Sequence, residues 1–224
     1  MSRRILTGVL LLGMVLCAVI AFRSGREVIT RLDEYQAART EYADLREQFG
    51  IPAPSYAHSD DSDDYSYEET EGIDFDALRT INQNVVGWIV VPGTGISYPI
   101  VQGTDNRHYL HHTFAGERNA SGAIFLDYRN SADFSDSRII IHGHNMRDGS
   151  MFAPLHGWAG DRFMIHTQDG VLEFEVFSRQ TVAATHDIYQ LHGTEDGVQM
   201  MTLSTCVSGR PSMRFVVQGH RIES

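Results

Sequence analysis

Eight short apolar segments, each bounded by turn-forming residues, limit the folds open to this 224-residue chain. Glycine, proline, asparagine and aspartate separate them, a pattern typical of short β-strands. The predicted strands are Gly87–Val91, Ile96–Val101, Ala123–Leu126, Arg138–His142, Phe163–His166, Val171–Phe177, Met200–Cys206 and Met213–Val217. Because only brief helical intervals such as Asp74–Asn82 interrupt these strands, the sequence predicts a mainly β barrel or sandwich, not a parallel α/β sheet.

The charge of the chain excludes several classes of function. Its formal net charge is -11, so non-specific binding to nucleic acid is not expected. All 18 basic residues are arginine, and lysine is absent. A lysine general base, a Schiff base and a Walker-type phosphate loop are therefore excluded together.

The N-terminal part predicts attachment to a membrane. Residues 5–22 are almost continuously apolar and follow Arg3 and Arg4, which predicts a retained transmembrane signal-anchor. Residues 1–4 are then a short cytoplasmic tail, and everything after the span lies outside the cell. We therefore predict a single-pass protein of the cell membrane whose folded domain is extracellular.

Two segments separate this predicted anchor from the folded domain. Residues 23–49 are charged and have apolar positions at roughly helical spacing, which predicts a juxtamembrane helix. Residues 50–72 contain an acidic run without the spacing of a calcium loop, which favours a solvated linker. The folded domain is predicted to occupy residues 73–224.

Cys206 is the first candidate for chemistry in that domain. It is the only cysteine beyond the predicted span, and it ends a predicted strand, where the chain leaves the core for the surface. Without a partner for a disulfide, an exported thiol is exposed to oxidation unless its reactivity has a use. A nucleophile is one such use.

A histidine and an arginine add to this hypothesis. His144 follows the end of the predicted strand Arg138–His142, a rigid position from which an imidazole can transfer protons. Arg214 lies at the start of the segment Met213–Val217 after Cys206, and its guanidinium can hydrogen-bond an oxygen that gains negative charge. Arg210 is the alternative. A metal site is the competing interpretation of the histidines, with possible ligands at His108, His111, His112, His142, His144 and His156, but no zinc signature is present.

Several motifs, taken together and in order, resemble those of the sortases, cysteine transpeptidases of Gram-positive surfaces, and most closely class B. The motif Thr-Leu-Ser-Thr-Cys at residues 202–206 is similar to the family's cysteine strand, and Arg-Phe-Val-Val at residues 214–217 is similar to its arginine strand. Residues 143–146 and 150–152 resemble its histidine segment, and residues 88–129 resemble its early strands and loops.

The resemblance implies an eight-stranded sortase β-barrel with short helices, and it assigns roles to residues. Cys206 is then the nucleophile, His144 the catalytic histidine and Arg214 the oxyanion and substrate-positioning arginine. Substrate-binding roles fall on Asn106, Leu110, Ser204 and Thr205. Catalysis is not assigned to His142, which stands where the class commonly has tyrosine. No cofactor and no metal are implied.

The implied reaction cleaves a sorting motif in a secreted protein and transfers that protein to an amine of a cell-wall precursor or a pilin. Water in place of the amine would make the protein a membrane-anchored cysteine peptidase, and a non-catalytic surface barrel is the third alternative. The chain departs from class B between Val182 and Met200, where it is too short for the helix that usually forms one wall of the substrate groove. The sequence of the sorting motif that this protein recognises is therefore not predicted.

Overall fold

The structure, a computed structural model, describes residues 3–51, 72–191, 193 and 197–222, with side chains from Leu11 onward. It contains two α-helices, α1 (Arg3–Gln48) and α2 (Phe75–Ile81), and three short 3₁₀ segments. The eight strands are β1 (Val85–Val91), β2 (Ile96–Gln102), β3 (Ile124–Leu126), β4 (Arg138–His142), β5 (Arg162–Thr167), β6 (Gly170–Ala183), β7 (Met200–Val207) and β8 (Arg210–Ile222).

The strands close into a barrel in the order β1-β2-β3-β4-β7-β8-β6-β5. Two neighbouring pairs, β2 with β3 and β4 with β7, run parallel, and the other six pairs are antiparallel. Closure leaves no free edge, so the backbone groups of every strand have neighbours on both sides. The mainly β, eight-stranded barrel predicted from the sequence is confirmed.

Alternation along β7 separates the interior of the barrel from the face that carries the cysteine. Leu203 is buried in the main core, where it lies opposite Val217 of β8. Ser204 pairs with Val216, and Val216 belongs to a separate small apolar cluster with Val182 and Ile188. Since successive side chains of a strand point to opposite faces, Ser204 and Cys206 share the outer face. The 3₁₀ segment Asp187–Tyr189 covers part of that face.

Helix α1 is continuous over 46 residues and includes the predicted anchor and all but the last residue of the predicted juxtamembrane helix. Its C-terminal part packs against the barrel, because Ala38, Tyr42 and Leu45 recur at helical spacing and are each at most 5% exposed. Among the described residues, no helix is long and apolar enough to cross a membrane. The anchor at residues 5–22 includes positions whose side chains are not described, and it stays a prediction.

Polar contacts connect α1 to loops of the barrel. The Tyr42 hydroxyl donates to the carbonyl oxygen of Gly122 at 2.8 Å, and its ring meets that of Tyr98 edge-on. Nε of Arg39 lies 2.8 Å from Oδ2 of Asp148, in the loop that follows β4. The helix therefore contacts the loop before β3 and the loop after β4.

Most of the other predicted domain boundaries fall outside the described residues. Residues 1–2 and nearly all of the predicted linker, residues 52–71, are outside the described residues. Helix α2 is capped by Asp74, whose Oδ1 accepts from the Ala77 amide at 2.9 Å. The boundary of the folded domain at residue 73 stays a prediction.

Candidate active site

Cys206 and Arg214 lie directly opposite each other on neighbouring strands. β7 and β8 form an antiparallel hairpin in which these two residues are paired across the ladder, and both are half-buried. Cross-strand partners of this kind point their side chains to the same face. The register shifts immediately after Cys206, so that Arg210 pairs with Val207 and is exposed. The hairpin therefore brings Arg214, and not Arg210, to the cysteine.

The Arg214 guanidinium is held by the irregular turn of this hairpin. Its Nη1 donates to the carbonyl oxygens of Pro211 and Met213, each at 2.8 Å. Both carbonyls lie in the part of β8 that the register shift leaves without partners on β7. Because both bonds come from Nη1, they orient the group while Nε and Nη2 keep donors that a substrate oxygen can use.

His144 reaches the same end of the barrel through a parallel strand. β4 runs beside β7 with His142 opposite Ser204, and the Gly143 amide donates to the Ser204 carbonyl at 3.1 Å. A larger residue at Gly143 would force its neighbours to shift, since a Cβ there would lie 2.6 Å from the ring of the buried Phe152. The pairing of His142 with Ser204, continued two residues further along both strands, brings His144 beside Cys206.

The His144 ring is fixed by a main-chain carbonyl. Its Nε2 lies 2.8 Å from the oxygen of Leu110, in the 3₁₀ segment His108–Leu110. A carbonyl can only accept, so Nε2 carries a proton and Nδ1 is left to gain or lose one. Burial lowers the pKa of His144; the bond to Leu110 raises it and His111 lowers it, with a net lowering.

The residue after His144 binds the backbone of the cysteine. Nδ2 of Asn145 donates to the Cys206 carbonyl at 3.0 Å. Nε2 of His156 lies 3.2 Å from the same oxygen and 3.1 Å from Nδ2 of Asn145. Two side chains from the segment between β4 and β5 therefore hold the end of β7 in place.

Tyr189 contacts β7 at Ser204. Its hydroxyl and Oγ of Ser204 are 2.7 Å apart, and its ring lies parallel to that of His142 with 6.5 Å between centroids. Burial raises the pKa of Tyr189; the Ser204 hydrogen bond and the charge of Arg214 lower it, and Cys206 raises it, with a net increase. The Tyr189 phenol therefore stays protonated. It also interacts electrostatically with both Arg214 and Cys206.

Asp127 is a buried carboxylate that joins three elements near His142. Its oxygens accept from Nε and Nη2 of Arg129 at 2.8 and 2.9 Å and from Nδ2 of Asn106 at 2.9 Å, and Oδ2 lies 3.1 Å from Nε2 of His142. Burial acts to raise the pKa of Asp127, but the bonds from Arg129 and His142 outweigh it and hold that pKa well below its usual range. Asn106 also accepts from the Tyr128 amide at 3.0 Å.

The structure thus brings several predicted site residues together. Hydrogen bonds and strand pairing connect Cys206, Arg214, His144, Leu110 and Ser204 around the end of β7. Asn106 and Thr205, the two other predicted site residues, are not part of this group. The amide of Asn106 is bonded within the Asp127 network, and Thr205 is buried on the face of β7 opposite Cys206. The substrate-binding roles of the predicted residues stay predictions.

Four residues at this end were not assigned to the site from the sequence. They are Asp127, Asn145, His156 and Tyr189. Asn145 and Asp127 lie in motifs that carry the resemblance to the sortases, and those motifs could have indicated that the two residues belong to the site. Tyr189 had none, since its segment shows only a short polar stretch. In the described parts of the chain, no group of three or more histidine, cysteine, aspartate or glutamate side chains is arranged to hold a metal ion.

Known proteins resemble this chain in sequence and in fold. Sortase B of Listeria monocytogenes is 40% identical over 119 residues, which are 51% of this chain and 48% of that protein. The matched region thus spans about half of this relative's length. Bacillus anthracis sortase B has a solved structure that superposes with a TM-score of 0.66 at 29% identity, covering 86% of this chain and all of that one.

A class B sortase of Streptococcus pyogenes involved in pilus biogenesis superposes with a TM-score of 0.59 at 30% identity, covering 66% of this chain and 98% of that one. The model of the Sortase domain family matches residues 89–222, which include β2 to β8, Cys206, His144 and Arg214. With this match over more than half of its length, the chain belongs to the sortase family.

Proposed function

We propose that this protein is a cysteine transpeptidase that cleaves a sorting motif in secreted proteins and transfers them to an amine through a thioacyl enzyme. The pairing of Cys206 with Arg214 across the β7–β8 hairpin carries this proposal. It places a thiol and a fixed positive charge on one face, beside the strand that leads to His144. Sortases are cysteine transpeptidases, and membership in the family supports the same assignment.

In the first step, the Cys206 thiolate attacks the carbonyl carbon of the scissile peptide bond. A C–S bond forms, and the carbonyl oxygen becomes an oxyanion. Nε and Nη2 of Arg214 can donate to that oxygen, because Nη1 is bonded to the turn. In other enzymes, removing one hydrogen-bond donor of this kind raises the activation barrier by about 2.7–4 kcal/mol.

His144 completes the step. The C–N bond breaks as the imidazolium gives a proton to the departing amine. Because the Nε2 proton is bonded to the Leu110 carbonyl, the transferred proton comes from Nδ1. An amine then attacks the thioester, a new C–N bond forms, and the C–S bond breaks to restore the thiolate. Neutral His144 takes one proton from the attacking nitrogen.

The sorting motif binds along the outer face next to β7. We assign this groove to Asn106, Leu110 and Ser204, with Thr205 supporting it from the buried face of β7, and we add Tyr189 because its hydroxyl contacts Ser204. The 3₁₀ segment Asp187–Tyr189 stands where class B sortases commonly have a longer helix. A shallower wall at this position is consistent with a sorting motif different from that of the class.

The acceptor is an amine of a cell-wall precursor or of a pilin. The Streptococcus pyogenes relative, which is involved in pilus biogenesis, supports the second possibility. We also propose that residues 5–22 anchor the protein in the cell membrane and that the barrel, as residues 73–224, lies outside. An exported location agrees with substrates that are themselves secreted.

The proposal is tested with a panel of sorting peptides, read by mass spectrometry for the thioacyl adduct on Cys206 and for released products. We expect Cys206→Ala and His144→Ala each to abolish cleavage, and Arg214→Ala to lower kcat/KM by about 100-fold or more. Cys17→Ala is the matched control, because it removes the other cysteine of the chain, and it should cleave normally.

Adding an amine acceptor separates the alternatives. A transpeptidase gives the amide product, whereas a peptidase gives only the free acid whether or not the acceptor is present. Substantial cleavage by either alanine variant contradicts the residue assignment. If no peptide in the panel and no thiol-directed peptide analogue modifies Cys206, the protein is a non-catalytic surface barrel.

A further inference from the structure

Helix α1 contacts both of the segments that fix His144. One is the loop after β4, which carries the His144 backbone and continues to the buried Phe152. The other is the loop before β3, in which Gly122 lies against Leu110. The Leu110 carbonyl in turn orients the His144 ring. The proposed proton donor is thus connected to α1 through its backbone and through its imidazole.

Residues 144–152 form a small hairpin, here called the histidine hairpin. The Phe152 amide donates to the His144 carbonyl at 2.9 Å, and Asn145 pairs with Met151 in an antiparallel bridge. The turn between these two sides contains Asp148. Because the two sides are bonded to each other, we expect a displacement of the turn to be transmitted to the residues at the start of the hairpin.

Arg39 of α1 holds the turn of the histidine hairpin. Its Nε lies 2.8 Å from Oδ2 of Asp148, and its Nη2 donates to the main-chain oxygen of the same residue. The other carboxylate oxygen, Oδ1, accepts from the amide and the hydroxyl of Ser150 at 3.1 and 2.6 Å. Burial acts to raise the pKa of Asp148, but the bonds from Ser150 and the charge of Arg39 outweigh it and lower that pKa. Asp148 is therefore a charged carboxylate that binds the helix with one oxygen and its own turn with the other.

The returning side of the histidine hairpin has an unfavourable backbone conformation. Met151 is buried and has a φ of +57°, which a residue with a Cβ rarely adopts. A conformation of this kind persists only where the surrounding contacts fix it. The Met151 amide donates to the Tyr98 hydroxyl at 3.2 Å, and the Tyr98 ring meets that of Tyr42 of α1 edge-on, with 5.1 Å between centroids. The helix therefore supports this side of the hairpin as well as its turn.

The second connection reaches the His144 ring through Leu110. The Tyr42 hydroxyl donates to the Gly122 carbonyl at 2.8 Å. Gly122 has a φ of +56°, and a Cβ on it would lie 3.0 Å from the carbonyl carbon and oxygen of Leu110. The same Leu110 oxygen lies 2.8 Å from Nε2 of His144. Tyr42 therefore supports the loop that packs on the group that orients the imidazole.

We infer that Arg39 and Tyr42 of α1 are positioning residues for His144, so that proton transfer by the imidazole depends on how the helix is docked on the barrel. The inference rests on the proposed transpeptidase function and extends the site to side chains of α1. Protonation of a departing amine requires the donor within hydrogen-bond reach of the nitrogen, and a misplacement of about 1 Å can cost about 100-fold in rate. A small relaxation of the histidine hairpin therefore slows the reaction while the thiol stays in place.

The test uses the full-length chain with Arg39→Met, which keeps a long side chain but removes the charge and the donors. We expect kcat for cleavage of a sorting peptide to fall about 10-fold, and KM to change less than about twofold, because Arg39 contacts none of the residues assigned to the groove. The NMR signal of the His144 Nε2 proton should shift, and this proton should exchange faster with solvent, because its bond to Leu110 loosens. Urea denaturation verifies that the variant is folded under the assay conditions.

Arg31→Met is the matched control, because it removes an arginine of the same helix that pairs with Glu27 and is 63% exposed. It should leave kcat and the His144 signal unchanged. Asp148→Asn keeps an acceptor for Ser150 but removes the charge that binds Arg39. Combined with Arg39→Met, it should cause no loss of kcat beyond that of Arg39→Met alone.

Tyr42→Phe tests the second connection separately. It keeps the buried ring, removes the bond to the Gly122 carbonyl, and should lower kcat about threefold with a shift of the same His144 signal. An unchanged His144 signal in both folded α1 variants, or an equal effect in Arg31→Met, overturns the inference. Absence of any thioacyl enzyme in the wild type instead overturns the proposed function, and the NMR comparison then still decides whether α1 positions His144.

Discussion

The carbonyl oxygen of Leu110 lies 2.8 Å from Nε2 of His144, so the loop that is expected to line the substrate groove also fixes the imidazole that we propose to be catalytic. This single contact sets which ring nitrogen can exchange a proton. We expect any movement of Leu110 on peptide binding to change the orientation of the ring. Binding of the first substrate and readiness for proton transfer are therefore connected through one main-chain group.

The charge of His144 is expected to depend on His111. Burial lowers the pKa of His144, and the nearby His111 lowers it further, although the Leu110 bond opposes both. We predict that His144 titrates below the range of an unperturbed histidine, as measured by NMR of the imidazole C–H protons. In His111→Gln the pKa of His144 should rise. A value that stays constant or falls contradicts the electrostatic contribution of His111.

Stability should also depend on the protonation of His144. Its pKa is lower in the folded than in the unfolded state, so the unfolded chain binds more protons as the pH falls. The contribution of His144 is complete above about pH 6.5 and is lost as the pH falls through the folded pKa. We predict that the free energy of unfolding decreases between pH 7 and pH 5 and that the decrease is smaller in His144→Gln. Urea denaturation at both pH values measures it.

Asp127 should make a pH-dependent contribution to stability at a lower pH. Its lowered pKa means that the contribution is present above about pH 3.9 and is lost as the pH falls further. Asp127→Asn removes the charge that binds Arg129 and His142, and we expect it to reduce the free energy of unfolding by about 2 kcal/mol at pH 7. The difference from the wild type should shrink below about pH 3. Asp169→Asn, in the exposed turn between β5 and β6, is the control and should behave like the wild type.

Tyr189 is expected to act on substrate binding through Ser204. Loss of a hydrogen bond worth about 1 kcal/mol should lower kcat/KM for a sorting peptide about fivefold in Tyr189→Phe. The same substitution in a Ser204→Ala background should have little further effect. This double-mutant cycle separates the pair from the individual side chains. Additive losses would show that the two hydroxyls act independently.

The packing of α1 against the barrel should contribute to stability. Tyr42 is 3% exposed, and Tyr42→Ala should cost about 3 kcal/mol in the free energy of unfolding. Tyr42→Phe removes only the bond to the Gly122 carbonyl and should cost about 1 kcal/mol. Val28→Ala on the same helix is the control, because Val28 is 57% exposed. Equal stability of all four proteins in urea would mean that the helix does not dock in solution.

Local patterns predicted the strands and the catalytic candidates because both depend on neighbours in sequence. The alternation and the turn residues around β7 and β8 place Cys206 and Arg214 on one hairpin, and the apolar run of β4 points to His144. The predicted β6 ended at Phe177, whereas the strand continues to Ala183. Its second half is polar, and pairing with β8, not hydrophobicity, keeps it extended.

Contacts between distant parts of the chain were not predictable in the same way. The bond between Tyr189 and Ser204 depends on how a 3₁₀ segment lies over the sheet, and no periodicity specifies that. The Asp127 network joins Asn106, Arg129 and His142, and its existence depends on the pairing of β3 with β2 and with β4. The docking of Tyr42 requires the partner surface formed by Tyr98 and Gly122.

A 46-residue helix is about 70 Å long at 1.5 Å per residue. Since its last turns are clamped to the barrel through Arg39, Tyr42 and Leu45, the rest of α1 acts as a rigid arm and not as a flexible tether. If its beginning is embedded in the membrane as proposed, the arm fixes both the height and the tilt of the catalytic face above the bilayer. Substrates would then be selected partly by how far their sorting motif and their amine stand from that surface.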